Sequence, residues 1–393
     1  FDFSNLPSMQ PADASAKNWA ADGQLNVLLI GADFEPGRGT TGLRPDTMIV
    51  LHVDLASGKA AMIGVPRNNV CVPLPQGIAQ SYATSVNGCP PYTWGGYSRS
   101  GIASAELNWL GMEAWNHPAN FPSLPQDSAS GWYRAAMATE AAVGALTGLN
   151  IDGYVTINLL GLAKLIDDIG GIDITVPTRV FDEPCGPKGS WQAQYYVCAY
   201  AHNGYTVPGD AAAFQKMADD AAASNGFQTI TWHAPTTAAG TDVAFVIKPG
   251  KQHMDGAWAL AYARSREYSS DFVRMQRQQL VLQAMRSTIA HPCGMLGQIP
   301  SLIGDLGQTI NTNLPILDSS QWRLWLGLAE QIGGGSVHTQ VLDPTTTGES
   351  FIGGYPAIDN TSWAKIKDIV AHSLDNVPAA SPGSGGGGGG FSC

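Results

Sequence analysis

The chain has 393 residues and a net charge of −11, and charged residues make up 13% of it, well under the about 25% usual for a globular domain. Hydrophobic residues at 44% are enough for a substantial core, and the length suits two or three domains or one large α/β domain. The acidic balance excludes a general nucleic-acid-binding surface, and there is no apolar run of the about 18 residues that a membrane-spanning helix needs.

Residues 1–23 are polar and punctuated by Ala and Pro, and read as a lead-in; the start at Phe1 reads as the exported part of a longer precursor. Leu25–Ile30 is an apolar run closed by Gly31, the mark of a buried strand, with Asp33 just beyond it. The Gly-rich loop that follows has no Gly-Lys-Ser/Thr and is not a phosphate-binding P-loop. Arg44-Pro45-Asp46-Thr47 leads into a second strand, 48–53, and a turn at Ser57-Gly58-Lys59 leads into a third, 60–65, ending at Pro66-Arg67-Asn68-Asn69. Three strand ends thus carry Asp33, Arg44 with Asp46, and Arg67, where open α/β sheets gather their binding residues.

Residues 70–131 read as an irregular insertion rich in Gly, Pro and Trp, of a length that is usually functional or partly folded in a way the sequence hides. Trp132–Leu146 predicts a helix stopped by Gly148, followed by a strand at 154–158, an amphipathic helix at 159–169 and a strand at 172–177. A second insertion covers 180–247, and Gly250–Gly256 reads as a turn resuming the core. A long helix from Asp271 to about Ala290 is predicted from apolar residues at helical spacing, with Asp271 as its N-cap. Residues 300–375 supply one or two more helices and a strand, and the 379–393 tail is disordered by composition.

Six cysteines occur without a C-x-x-C pair, which argues against zinc or thioredoxin-like chemistry and for disulfides in an oxidising compartment. Cys71 and Cys89 bracket a loop, Cys185 and Cys198 flank another, and Cys393 is placed to tie the tail back to Cys293.

Four arginines, Arg264, Arg266, Arg274 and Arg277, fall together around the start of the long helix. Unpaired N–H groups and the positive dipole end of a helix favour anions, and the arginine fork grips two phosphate oxygens at once. The alternative is a surface charge cluster answered by Glu267 and Asp271. Pooled with the strand ends, the set suggests Arg67, Arg264, Arg266 and Arg274 on a phosphate or diphosphate, and Asp33 and Asp46 on a hard cation such as Mg²⁺. Arg277 reads as a structural neighbour, and His52, inside a strand, as a packed histidine.

Four segments in order, RPDTMIVLHVD, VPRN, the block at 153–177 and the block at 250–285, resemble the LytR-CpsA-Psr family over about 24–66, 132–178 and 249–345. The resemblance implies a three-layer α/β/α sandwich with a central mixed sheet and an apolar tunnel for a polyprenyl chain, as one catalytic domain over 24–378. It implies an extracytoplasmic enzyme of the cell envelope, tethered by an N-terminal helix, that attaches glycopolymers to peptidoglycan. By position it assigns metal to Asp33 and Asp46 and diphosphate to Arg67, Arg266 and Arg274, with Arg44, Arg264 and Asp271 beside them. Asn68 stands where most members carry Asp, and the Pro-Arg-Asn form resembles actinobacterial members, which implies arabinogalactan as the glycan. The implied donor is a decaprenyl- or undecaprenyl-diphosphate-linked glycan, the acceptor peptidoglycan and the leaving group polyprenyl phosphate. Two other readings share these residues: a pyrophosphatase acting on the same diphosphate, and a non-catalytic lipid- or wall-binding protein using Trp94, Trp109, Trp115, Trp132, Trp191, Tyr195 and Tyr196.

Overall fold

A computed structural model of the chain describes residues 22–32, 43–75, 77–78, 89, 93–94, 106–127, 130–185, 243–265, 269–289, 310–314 and 336–378. In order the elements are β1 (Gln24–Ala32), β2 (Pro45–Asp54), β3 (Ala60–Gly64), β4 (Val72–Pro73), β5 (Thr93–Trp94), α1 (Leu107–Asn116), α2 (Gly131–Thr147), β6 (Gly153–Asn158), α3 (Leu159–Asp168) and β7 (Ile172–Val176). They continue with β8 (Val180–Cys185), β9 (Val243–Ile247), β10 (Gly250–Met254), α4 (Gly256–Arg264), α5 (Asp271–Ile289), β11 (Ile310–Thr312) and β12 (Val337–Val341). Last come α6 (Pro344–Thr347), β13 (Ser350–Ile352), β14 (Tyr355–Ala357) and α7 (Asn360–Ala371). The chain forms two compact units, one of residues 1–161 with 303–393 and the other of 162–302.

The first unit is built on a six-stranded mixed sheet in the order β11-β6-β1-β2-β3-β12. The α/β fold with a central mixed sheet expected from the sequence is therefore present. Side chains alternate across it with the period of two that strands impose. Leu28, Val50 and Ile63 stand opposite one another in register and face a core closed by Leu110 of α1, Ala142 and Leu146 of α2 and Ile366 of α7. Leu25, Val27 and Val53 form a separate cluster with Ala60 and Leu314. The helix predicted over Trp132–Leu146 is α2, and Gly148 ends it as expected in the left-handed conformation, φ 76°.

Two expectations are corrected. The 70–131 insertion contains a regular helix, α1, whose buried Leu107, Leu110, Gly111 and Ala114 follow the helical period. Residues 250–254, read as part of a turn, are β10, paired antiparallel with β7; Asp255 then accepts a hydrogen bond from the Trp258 N–H and caps α4. A disulfide joins Cys71 and Cys89, with Cα atoms 5.2 Å apart. Cys198, Cys293, Cys393, the 379–393 tail and most of the 180–247 insertion lie outside the described residues.

In the second unit, α4 and α5 pack with β7 and β10 around Ile166, Ile172, Ile174, Met254, Tyr262 and Val281. Gly256 starts α4 against α3: a Cβ there would lie 1.9 Å from the Ala163 carbonyl oxygen, so only glycine fits. Among the described residues, no helix is long and apolar enough to cross a membrane.

Candidate functional site

β1, β3, β6 and β12 run in one direction and β2 in the other, so the C-terminal ends of four strands and the start of β2 share one edge of the sheet. Asp46 is the second residue of β2, and Arg67 follows the end of β3. Arg67 Nη1 donates to Asp46 Oδ1 at 2.5 Å, and Arg44 Nε lies 3.7 Å from the same oxygen. Both Arg67 and Asp46 are largely shielded, with side chains 13% and 18% exposed, while Arg44 at 38% reaches solvent. In that partly dehydrated setting a charge-assisted contact is stronger than a surface ion pair.

A third group meets the same oxygen: Asn108 Nδ2 of α1 donates to Asp46 Oδ1 at 3.1 Å. The helix start is bound to the arginine loop as well, through Leu107 N–H to Asn69 O at 2.9 Å and Asn108 N–H to Arg67 O at 3.0 Å. Trp109 lies under Arg44, its ring centre 5.4 Å from the guanidinium carbon, a cation–π contact. The asparagines Asn68, Asn69 and Asn108 keep buried side-chain oxygens with no hydrogen-bond partner among the described residues. Asn108 is not among the residues expected from the sequence, because the insertion reads as irregular; the spacing of Leu107, Leu110, Gly111 and Ala114 is the signal for the helix that carries it.

The second unit holds the other arginines. Arg274 is 6% exposed, and its Nη2 donates to Asp271 Oδ2 at 3.0 Å. The helix cap differs from the expectation: Asp271 is the first residue of α5, and the Ser270 hydroxyl oxygen accepts from the Val273 N–H at 3.2 Å. Asp271 spends its carboxylate on Arg274 instead, as the acidic residue of the first turn. Arg277 is structural, as expected: Nη1 donates to Ser265 O at 2.7 Å, Nη2 to Ser269 Oγ, and the guanidinium faces the Tyr262 ring at 5.9 Å. Burial pushes the Tyr262 hydroxyl up to about 12, against the opposing pull of Arg277. Arg264 ends α4.

The structure thus joins Arg44, Asp46 and Arg67 in one cluster and Asp271 with Arg274 in another. Asp33 and Arg266 lie outside the described residues. His52 is packed, as expected: 3% exposed, with its Nδ1 against Asn26 Oδ1 at 2.6 Å. Among the described residues no group of three or more His, Cys, Asp or Glu side chains is set to hold a metal. Mg²⁺ asks for less, about one or two carboxylates with phosphate and water making up the rest. The Asp46 carboxylate and the unpartnered amide oxygens beside it are hard oxygen donors of that kind.

Comparison with known proteins finds a relative in Bacillus subtilis strain 168, the polyisoprenyl-teichoic acid–peptidoglycan teichoic acid transferase TagV, 24% identical over 368 residues that span 92% of this chain and 67% of the relative. The crystal structure of B. subtilis TagV superposes with a TM-score of 0.51 at 18% identity, covering 90% of this chain and 97% of that one. Protein gbs0355 from Streptococcus agalactiae gives 0.52 at 17% identity, with 91% of each chain covered. At these identities the two structures share the fold. The family model matches residues 5–87 and 128–332, most of the chain, and the protein belongs to the LytR_cpsA_psr family.

Proposed function

We propose that the protein is a cell-wall glycopolymer transferase that moves a glycan from a polyprenyl diphosphate carrier to peptidoglycan, with arabinogalactan as the glycan and polyprenyl phosphate as the leaving group. The observation that carries this is the cluster of Arg67, Arg44 and Asp46 at the edge where four strands end. Two guanidinium groups and a carboxylate, partly withdrawn from water, suit a diphosphate and its counter-charge. Family membership and the transferase named among its relatives support the same reading.

In the proposed reaction a sugar hydroxyl of peptidoglycan attacks the glycan-proximal phosphorus. The new P–O bond forms as the bond to the polyprenyl phosphate oxygen breaks, and the hydroxyl proton passes to a carboxylate, Asp46 or Asp33, or to water. Arg67 and Arg44 neutralise the charge on the phosphoryl oxygens, and positioning with charge neutralisation is most of what such a transfer requires. Asp46 and Asp33 would hold Mg²⁺, which supplies further neutralisation when bound. Arg264, Arg266 and Arg274 are the proposed phosphate ligands of the second unit's sequence block, with Asp271 fixing Arg274 by its ion pair. The protein acts at the cell envelope, where its acceptor lies.

The test uses the purified chain, a synthetic polyprenyl-diphosphate glycan, Mg²⁺ and peptidoglycan fragments. A glycan–peptidoglycan product together with polyprenyl phosphate is expected. Phosphate compounds released without a linked product would replace transfer by diphosphate hydrolysis. Full activity after exhaustive chelation would remove the metal role of Asp33 and Asp46.

A further inference from the structure

We propose that α1 is the positioning helix of the Asp46–Arg67 cluster and that Asn108 is its acting side chain, fixing the Asp46 carboxylate for the reaction; the inference rests on the role given to Asp46 above. The stretch 88–127, which holds α1, falls between the two segments that the family model matches.

The case starts from a residue that is costly where it stands. Asn108 is fully buried, and the other buried residues of α1 are Leu107, Leu110, Gly111 and Ala114, all apolar or small. An apolar side chain at 108 would continue that face. The amide instead makes a single side-chain bond, to Asp46, and leaves its oxygen without a partner among the described residues. An unpaired buried polar atom costs about 1–3 kcal/mol, which offsets what the bond to a carboxylate contributes, so the residue adds little net stability. The bond to Asp46 does account for it. The amide orientation is fixed by charge, because a flipped amide would set its oxygen against a carboxylate oxygen.

The rest of α1 is arranged to hold that contact still. A Cβ at Gly111 would lie 2.7 Å from the Leu43 carbonyl oxygen, so the glycine lets the helix backbone rest on the segment that delivers Arg44 and Asp46. The first two N–H groups of the helix are spent on the carbonyls of Arg67 and Asn69, and Trp109 supports Arg44. One turn of helix therefore touches all three charged residues of the cluster. A carboxylate clamped on one oxygen by a guanidinium and an amide has little rotational freedom, and misplacement by about 1 Å can cost a reaction 10²-fold.

The test is kinetic and uses the full chain. Asn108→Leu keeps much of the volume and removes the donor without adding charge; Asn108→Ala removes the side chain. Both are expected to lower kcat about 10–100-fold, the range typical when a supporting hydrogen bond to a working group is lost, with KM for the lipid donor close to wild type. In an Asp46→Asn background the same Asn108→Ala change should lower kcat no further, because the group it positions is gone. Melting temperature is followed in parallel, and if one variant unfolds the other decides. Wild-type kcat in a folded Asn108 variant, or losses that multiply across the cycle, would overturn the proposal. If the protein hydrolyses the diphosphate without transferring the glycan, the proposed function fails, but the same cycle read on phosphate release still decides the role of Asn108.

Discussion

Asp46 and Arg67 are 21 positions apart, and the antiparallel pairing of β2 with β3 brings the segment that carries Arg67 beside the start of β2. Ile49 pairs with Gly64, and Val65 N–H continues the ladder to Met48 O at 2.9 Å. Beyond Gly64 the strand pairing ends, and Arg67, in the turn that follows, reaches Asp46, where Nη1 meets Oδ1 at 2.5 Å. The hairpin that builds the sheet thus also builds the ion pair.

The first prediction follows from that pair. Arg67→Ala should lower transfer about 10²–10³-fold, the usual cost of removing one preorganised donor that meets developing charge. Arg67→Lys should recover only part of this, since an ammonium cannot bond two oxygens in the plane of a fork. Steady-state kinetics with the polyprenyl-diphosphate glycan read both. Equal rates for Arg67→Ala and wild type would remove Arg67 from the site.

This part of the site was legible in the sequence. The strands at 48–53 and 60–65 and the turn between them fix the register, and the charges at the strand ends follow from it. Asn108 was not legible in the same way. Its helix is short, lies in an insertion crowded with Gly, Pro and Trp, and reaches Asp46 only through tertiary packing that no local pattern encodes. The Ser270 cap was missed for a different reason: Ser and Asp both suit an N-cap, and only the ion pair with Arg274 draws Asp271 into the first turn.

The second prediction concerns the Cys71–Cys89 disulfide, which closes a loop of sequence separation 18 just beyond Arg67. Chain entropy alone assigns such a loop about 3 kcal/mol. Cys71 also sits at φ 59°, a left-handed backbone that non-glycine residues seldom adopt. Replacing both cysteines by serine should lower unfolding free energy by about that amount, and reductant should have the same effect on wild type. Urea unfolding with and without reductant measures it. Unchanged midpoints would show that the loop is held by its packing instead.

The third prediction is a pH dependence from His52. Asn26 Nδ2 donates to Asn150 O, so its Oδ1 faces the ring and His52 Nδ1 must carry the proton. Burial holds the His52 pKa below 6.5, with Asp54 and Asp22 opposing weakly. A histidine depressed in the folded state binds its proton more readily when unfolded. Its contribution is therefore complete above about pH 6.5 and is lost as pH falls from there through the folded value. His52→Gln, neutral throughout, should flatten the stability profile between about pH 5 and 7. An identical slope in the variant would place the acid sensitivity elsewhere.

The last prediction turns on Arg134, which is 1% exposed and, among the described residues, hydrogen-bonds to backbone carbonyls. Nε donates to Ala114 O at 2.5 Å, Nη2 to Trp115 O at 2.9 Å, and Nη1 to Pro125 O and Asp127 O at 2.6 and 3.0 Å. Ala114 and Trp115 lie in the last turn of α1, where carbonyls lack helical partners and the dipole end is negative. That turn has no basic residue of its own, so Arg134 of α2 supplies the cap. Arg134→Met fills much of the space but leaves the carbonyls unpaired, and should cost at least about 3 kcal/mol of stability. Arg134→Lys should fall between, because one ammonium cannot span four carbonyls. Since α1 also carries Asn108, both changes should lower transfer more than they lower binding of the lipid donor. Urea unfolding paired with kcat and KM tests the two effects together, and a stable Arg134→Met variant with normal kcat would show that α1 keeps its place without the cap.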